Sequence, residues 1–181
     1  MIVSDNCCCP ESGKSAPMII PMVCGDSGGS EQNRSDEVIL CPVCQKEGNH
    51  VRNVTVRHLV KKELAGKAGQ CDYRICMNEK CDVAYYSEDL SIIFEKEDLK
   101  VPLWYKEDAS PRYACYCSRI TEEDVIRAVR EQNLTEMNAI RKHYDPEAKC
   151  QCNVKNPTGK CCTNTFKNFI KKALAGRSNK K

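Results

Sequence analysis

Cys41-Pro42-Val43-Cys44, answered downstream by Cys76-Met77-Asn78-Glu79-Lys80-Cys81, is the stretch that decides how the first half of this chain folds. Two thiols on a tight turn supply half of a tetrahedral site, and the second, looser knuckle supplies the other half. Four thiolates suit a closed-shell, redox-inert ion such as zinc, and folding is then coupled to metal binding. A single iron ion uses the same four sulfurs. Cys71, Asp82, His50 and His58 are the substitute ligands within reach in sequence, but a complete four-cysteine frame leaves them as ordinary thiol, surface or core residues.

A second frame follows. Cys115-Tyr116-Cys117 places two thiols on alternate residues just ahead of a helical pattern, and Cys152 and Cys162 bracket the loop Asn153 to Lys160 and Cys161. Both ends of this frame deliver a thiolate to a helix start, where unpaired N–H groups favour negative charge. Spacing leaves two readings open: a four-thiolate 2Fe-2S cluster or a second zinc.

Composition explains why metal comes first. The 181 residues include 15 Cys and only 6% aromatic residues, so the apolar core is thin and cross-links must supplement it. An odd cysteine count with no signal-peptide pattern points to a cytoplasmic metal-binding protein rather than a secreted disulfide scaffold. Apolar runs are too short for membrane insertion. A net charge of +3, with basic residues scattered among acidic ones, gives no footprint for nucleic acid.

The fold class this implies is α+β, a small zinc-stabilised β-rich domain followed by a small helical cluster-type domain. Residues 1–37 are rich in Ser, Gly, Pro and Asp and read as a disordered, Cys-containing arm. From 38 to 108, short β-like runs (Val38–Leu40, Val51–Val56, Tyr73–Ile75, Val83–Tyr86, Ile92–Phe94) surround one helix over His58–Ala65 that ends near Gly66. The polar stretch Glu107-Asp108-Ala109-Ser110-Pro111 reads as a linker. From 109 to 176 the pattern is helical. Thr121 with Asp124 three residues on forms an N-cap signature ahead of Val125, Ile126 and Val129. A second helix carries Met137 and Ile140, and a third runs from Thr163 or Asn164 to a stop at Gly176. Residues 177–181 form a basic tail.

Here the residues resemble a known family. Cys115-Tyr-Cys117, Ile120-Thr121-Glu122, Cys152 and Asn156-Pro157-Thr158-Gly159-Lys160-Cys161-Cys162 are similar to the 2Fe-2S domain related to bacterioferritin-associated ferredoxin. Cys41-Pro-Val-Cys44, Thr55-Val56, Cys76, Cys81-Asp82-Val83 and Tyr85-Tyr86 resemble the zinc domain joined to it in the CopZ type of copper chaperone. The resemblance spans about Leu40 to Ala175. It implies zinc on Cys41, Cys44, Cys76 and Cys81, and a 2Fe-2S cluster on Cys115, Cys117, Cys152 and Cys162, with Cys150 and Cys161 as neighbours. It further implies a redox partner, and a copper-transporting ATPase or copper-carrying protein as recipient. Full-length members carry a further ferredoxin-like domain with a Met-x-Cys-x-x-Cys copper loop, and no such motif follows the second frame. Cu+ would then fall to Cys7, Cys8 and Cys9, with Cys24 nearby.

The function expected is a non-enzymatic metallochaperone in which a one-electron centre suits reduction of Cu(II) to Cu(I). The alternative is a small ferredoxin-like electron carrier with no copper role, and a third reading is a structural adaptor holding two zincs. Nucleophilic catalysis is not expected, because none of the three histidines has a Cys or Ser partner in sequence.

Overall fold

The computed structural model describes residues 38–147 and 149–178, so the arm with Cys7, Cys8, Cys9 and Cys24 lies outside the described residues. From Ile39 onward the chain is one compact unit of α+β architecture.

Four strands, β1 (Gly48–Val51), β2 (Tyr73–Cys76), β3 (Val83–Ser87) and β4 (Ile93–Glu95), pair antiparallel in chain order. Register sets Gly48 opposite Cys76 and Ile75 opposite Tyr85. Every residue of β3 is buried. Tyr73, Ile75, Tyr85 and Phe94 share a core with Val51, Val56, Val60 and Leu103.

One element departs from the expected pattern. Val51–Val56 reads as a strand, yet β1 stops at Val51 and a helix, α1 (Asn53–Leu59), begins two residues later. Asn53 fixes this corner. Its side-chain amide donates to the carbonyls of Ala68 (3.0 Å) and Cys71 (2.7 Å), and its backbone N–H donates to Asp72 Oδ1 (2.9 Å). In the helix Thr55, Val56 and Leu59 are buried on one face while Val54 is left exposed, so tertiary burial overrides the strand preference of β-branched residues. His58 and Leu59 end this helix instead of opening one, and Ala65–Ala68 forms a separate 3-10 turn.

The second half opens with a ribbon of β5 (Tyr113–Cys115) and β6 (Ile120–Thr121). Four helices follow: α2 (Glu122–Glu131), α3 (Met137–Tyr144), the single turn α4 (Cys152–Lys155) and α5 (Thr163–Ser178). The N-cap is formed as its residues dictate: Thr121 Oγ1 accepts from the Asp124 N–H (3.1 Å), and Asp124 Oδ2 accepts from the Thr121 N–H (3.0 Å). Val125, Val129, Ile140, Phe166 and Ile170 make the core between α2, α3 and α5. Gly176 does not stop α5. A Cβ there would lie 2.9 Å from Arg130 Nη2, so the glycine clears a crossing side chain from α2 while the helix runs on to Ser178.

The segment 107–111 is tied down on both sides. Glu107 N–H donates to the Glu79 carbonyl (3.2 Å), and Arg112 Nη2 donates to the Glu107 carbonyl (3.1 Å).

Replacing Thr121 with Ala removes the cap of α2 and should lower unfolding free energy by about 1 kcal/mol. A shifted denaturant midpoint with unchanged slope is the expected readout.

Candidate metal centres

The first centre sits where a turn and a strand end meet. The Cys41 carbonyl accepts from the Gln45 N–H (2.9 Å), the Cys41 N–H donates to the Lys46 carbonyl (2.9 Å), and Gln45 takes a positive φ of 56° to close the loop. Cys76 ends β2, and Cys81 stands two residues before β3. Pairing of β1 with β2 carries the turn up against them, and all four Sγ atoms lie within 4.8 Å of one another. Cys41 Sγ and Cys81 Sγ are 3.9 Å apart, and Cys44 Sγ and Cys76 Sγ 3.5 Å. Zinc–sulfur bonds of 2.3 Å in a tetrahedron give an edge of about 3.8 Å, so the donor set fits one zinc ion.

Electrostatics agree with that fit. Burial pushes Cys76 and Cys81 upward from the usual thiol value. Cys44 is the exception, drawn down to about 6: slight burial opposes the shift, and donors led by the Lys46 N–H outweigh it. Four sulfurs this close cannot all ionise without a cation between them, so zinc uptake must release protons.

Beneath the knuckles lies a residue that sequence reading missed. Lys106 is 1% exposed, and the three N–H groups of its ammonium are shared among the carbonyls of Cys76 (3.3 Å), Asn78 (2.8 Å), Cys81 (2.6 Å) and Val83 (3.0 Å). Tyr105 Oη donates to the same Cys76 carbonyl (2.9 Å). A lysine beside a polar linker reads as exposed by default, and only the fold shows it turned inward. Tyr86 holds the other knuckle, its hydroxyl donating to the Ile39 carbonyl (2.9 Å); Gly48 has no Cβ because one there would collide with that hydroxyl.

The substitute ligands are engaged elsewhere. His50 pairs with Asp72 (3.0 Å), Asp82 with Lys96 (2.9 Å), and the half-buried Cys71 belongs to the sheet core.

The second frame also converges. Cys115 ends β5, Cys117 lies in the turn to β6, Cys152 opens α4, and Cys162 immediately precedes α5. Cys117 Sγ and Cys152 Sγ are 3.7 Å apart, and the Gln151 N–H donates to Cys117 Sγ (3.3 Å). Within this group Cys115 and Cys152 are pulled down by their thiol neighbours, while Cys117 and Cys162 are pushed up by theirs. Cys161 is exposed, 3.0 Å from Thr163 Oγ1, whereas Cys162 is buried.

The loop carrying two of these thiols is built on the zinc half. Thr55 Oγ1 donates to the Asn153 carbonyl (2.6 Å) and Tyr85 Oη to the Pro157 carbonyl (2.8 Å). Asn156 Oδ1 accepts from both the N–H (3.1 Å) and the hydroxyl (3.0 Å) of Thr158, and Gly159 takes a φ of 67° to complete the turn.

Residues 39–100 match a family model described as a zinc binding domain, of the CopZ type. The X-ray structure of the Archaeoglobus fulgidus CopZ N-terminal domain superposes with a TM-score of 0.58 at 31% identity, over 71% of this chain and 95% of that one. The chain belongs to the CopZ-type zinc-domain family. The copper chaperone CopZ of Archaeoglobus fulgidus is 34% identical over 125 residues, 69% of this chain. This chain spans 58% of that chaperone's length. The cysteine set on Cys41, Cys44, Cys76 and Cys81 is thus the zinc-binding site of a CopZ-type domain, and Lys106 lies just beyond the segment the family model covers.

Lys106→Met keeps the stem but takes the ammonium from four carbonyl oxygens, leaving the Cys76 carbonyl to Tyr105 and the Asn78 carbonyl to the Cys81 N–H. Zinc transfer to a competing chelator should become roughly tenfold or more easier, as for other groups that orient metal ligands. Lys106→Arg, which keeps the charge, should recover part of the loss.

Proposed function

We propose that the chain carries a 2Fe-2S cluster on Cys115, Cys117, Cys152 and Cys162 beside its zinc, and serves copper as a non-enzymatic, cytoplasmic chaperone-type protein. One observation carries the cluster. Of the three buried polar side-chain atoms without a hydrogen-bond partner among the described residues, two, Ser118 Oγ and Arg141 Nε, belong to the surroundings of these thiols. Ser118 follows Cys117 directly. Burial opposes the Arg141 charge, but Cys150, Cys115 and Cys162 nearby raise its pKa overall. Buried polar atoms left without a partner are costly; Ser118 lies against Cys115 and Arg141 against Cys150, and an anionic metal–sulfide core among these thiols would add acceptors beside both.

A bound 2Fe-2S centre supplies one electron at a time, which is the stoichiometry separating Cu(II) from Cu(I), the form that soft thiolates prefer. Around it, the chain's own residues have defined tasks. Gln151 N–H spreads charge from Cys117, Arg141 compensates it, and Thr55 and Tyr85 hold the ligand loop in place. Copper is the cargo, with Cys7, Cys8 and Cys9 of the arm as its candidate thiols and a copper-transporting ATPase or copper-carrying protein as recipient. The relative named copper chaperone supports this direction. The second reading, an electron carrier that exchanges electrons with a redox partner and never meets copper, is favoured by the partly exposed Cys117.

Anaerobic metal analysis with absorption and EPR spectra on one sample tests the proposal. Iron and acid-labile sulfide in equal amounts, a visible chromophore and about one zinc are expected. Cys117→Ser or Cys152→Ser should bleach the chromophore and leave the zinc. A colourless wild-type with two zincs defeats the cluster. Deleting residues 1–36 should abolish stoichiometric Cu(I) binding while zinc and cluster persist; failure of the intact chain to bind Cu(I) selects the electron carrier.

A further inference from the structure

A cleft of about 310 Å³ opens between the end of α1, the segment after β4 and the turn that carries Cys117. His58, Lys100, Arg119 and Lys155 line it together with Tyr113 and Tyr116. No carboxylate lines it. Lys100, Arg119 and Lys155 take part in none of the ion pairs among the described residues, whereas Lys96, a few residues from Lys100, is flanked by Asp82, Glu97 and Asp108. Lys100 Nζ donates to the His58 carbonyl (2.7 Å), which fixes its direction without cancelling its charge.

Like charges gathered in a concave, partly desolvated wall repel one another and focus a positive potential into the space between them. His58 registers that repulsion: burial, then Lys100, then Lys155 lower its pKa. Lys155 is held in place because α4 is fixed by the Thr55 contact to Asn153, and Arg119 occupies a positive-φ turn position at 53°. The backbone thus fixes where Arg119 and Lys155 start, and the hydrogen bond to His58 fixes the direction of Lys100. The volume is at the small end of ligand pockets, too small for a folded partner segment and adequate for a compact organic or inorganic anion.

We propose that this cleft is a binding site for a small oxyanion bearing at least two negative charges, a phosphate or a dicarboxylate. Its position gives the site a consequence. Cys117 lines the same cleft, so an occupant adds negative charge beside the second metal centre. Under the cluster reading, that makes the reduced form harder to reach and moves the reduction potential negative. Binding itself does not depend on the cluster.

The test uses the full chain in its metal-loaded form, titrated with inorganic phosphate and, separately, succinate. Calorimetry follows binding, and NMR follows the His58 ring resonances. Saturable, near-equimolar binding that shifts His58 is expected, and the tighter of the two anions identifies the ligand class. Arg119→Gln with Lys155→Gln should weaken it about tenfold or more, while Lys171→Gln with Lys172→Gln, outside this cleft, should leave it unchanged. No saturable binding of either anion, no movement of His58 in the wild type, or equal binding in both double variants overturns the site. If the charge-removing variant fails to fold, the wild-type His58 titration still decides. Binding without any change in the potential of a cluster-loaded chain would overturn the coupling to the second centre and leave the anion site standing, whereas binding to a colourless chain would defeat the cluster reading alone.

Discussion

Four thiol sulfurs within 4.8 Å of one another cannot all carry charge in a protein interior unless a cation sits among them, and the architecture of the first half follows from that constraint. The sheet is only four short strands. Two of its four ligands arrive on a turn before β1, and two flank the loop between β2 and β3, so zinc joins the ends of strands that are already neighbours. The same constraint explains Lys106. A tetrathiolate zinc site keeps a net negative charge, and a buried ammonium held by four carbonyls from the ligand loop compensates it while fixing that loop's path. Its burial without a carboxylate would otherwise be hard to account for.

The second half solves a similar problem with less apolar material. Its three longer helices share one core around Phe166 and Ile140, but the loop that presents Cys152 and Cys162 is mostly polar and cannot hold itself. Thr55 and Tyr85 supply what it lacks by donating to carbonyls at Asn153 and Pro157. Tyr85 is fully enclosed, so its hydroxyl needs this acceptor as much as the loop needs the donor.

Much of this was legible in the chain. Paired cysteines marked the zinc site and the second group of thiols, because ligand chemistry imposes short fixed spacings. Thr121 and Asp124 marked the start of α2, because a cap is made within four residues. What escaped was decided at longer range. Val51 to Val56 has the composition of a strand, and only the contacts of Asn53 with a segment some fifteen residues away turn it into a helix. Gly176 has the look of a terminator, but its role is to admit Arg130. Lys106 and Arg141 carry no local signal, since nothing in the neighbouring residues separates an inward cation from a solvated one. Of the candidate site, the thiols were readable and the cations around them were not.

The two hydrogen bonds from Thr55 and Tyr85 also impose an order in time. A polypeptide leaves the ribosome N-terminus first, and residues 39–100 are complete long before Asn153 and Pro157 have been synthesised. The platform that receives the later ligand loop therefore exists, given zinc, before the loop does. A cell short of zinc during translation would produce chains whose second set of thiols emerges with nothing to rest on, and those thiols would meet oxidants while still unarranged.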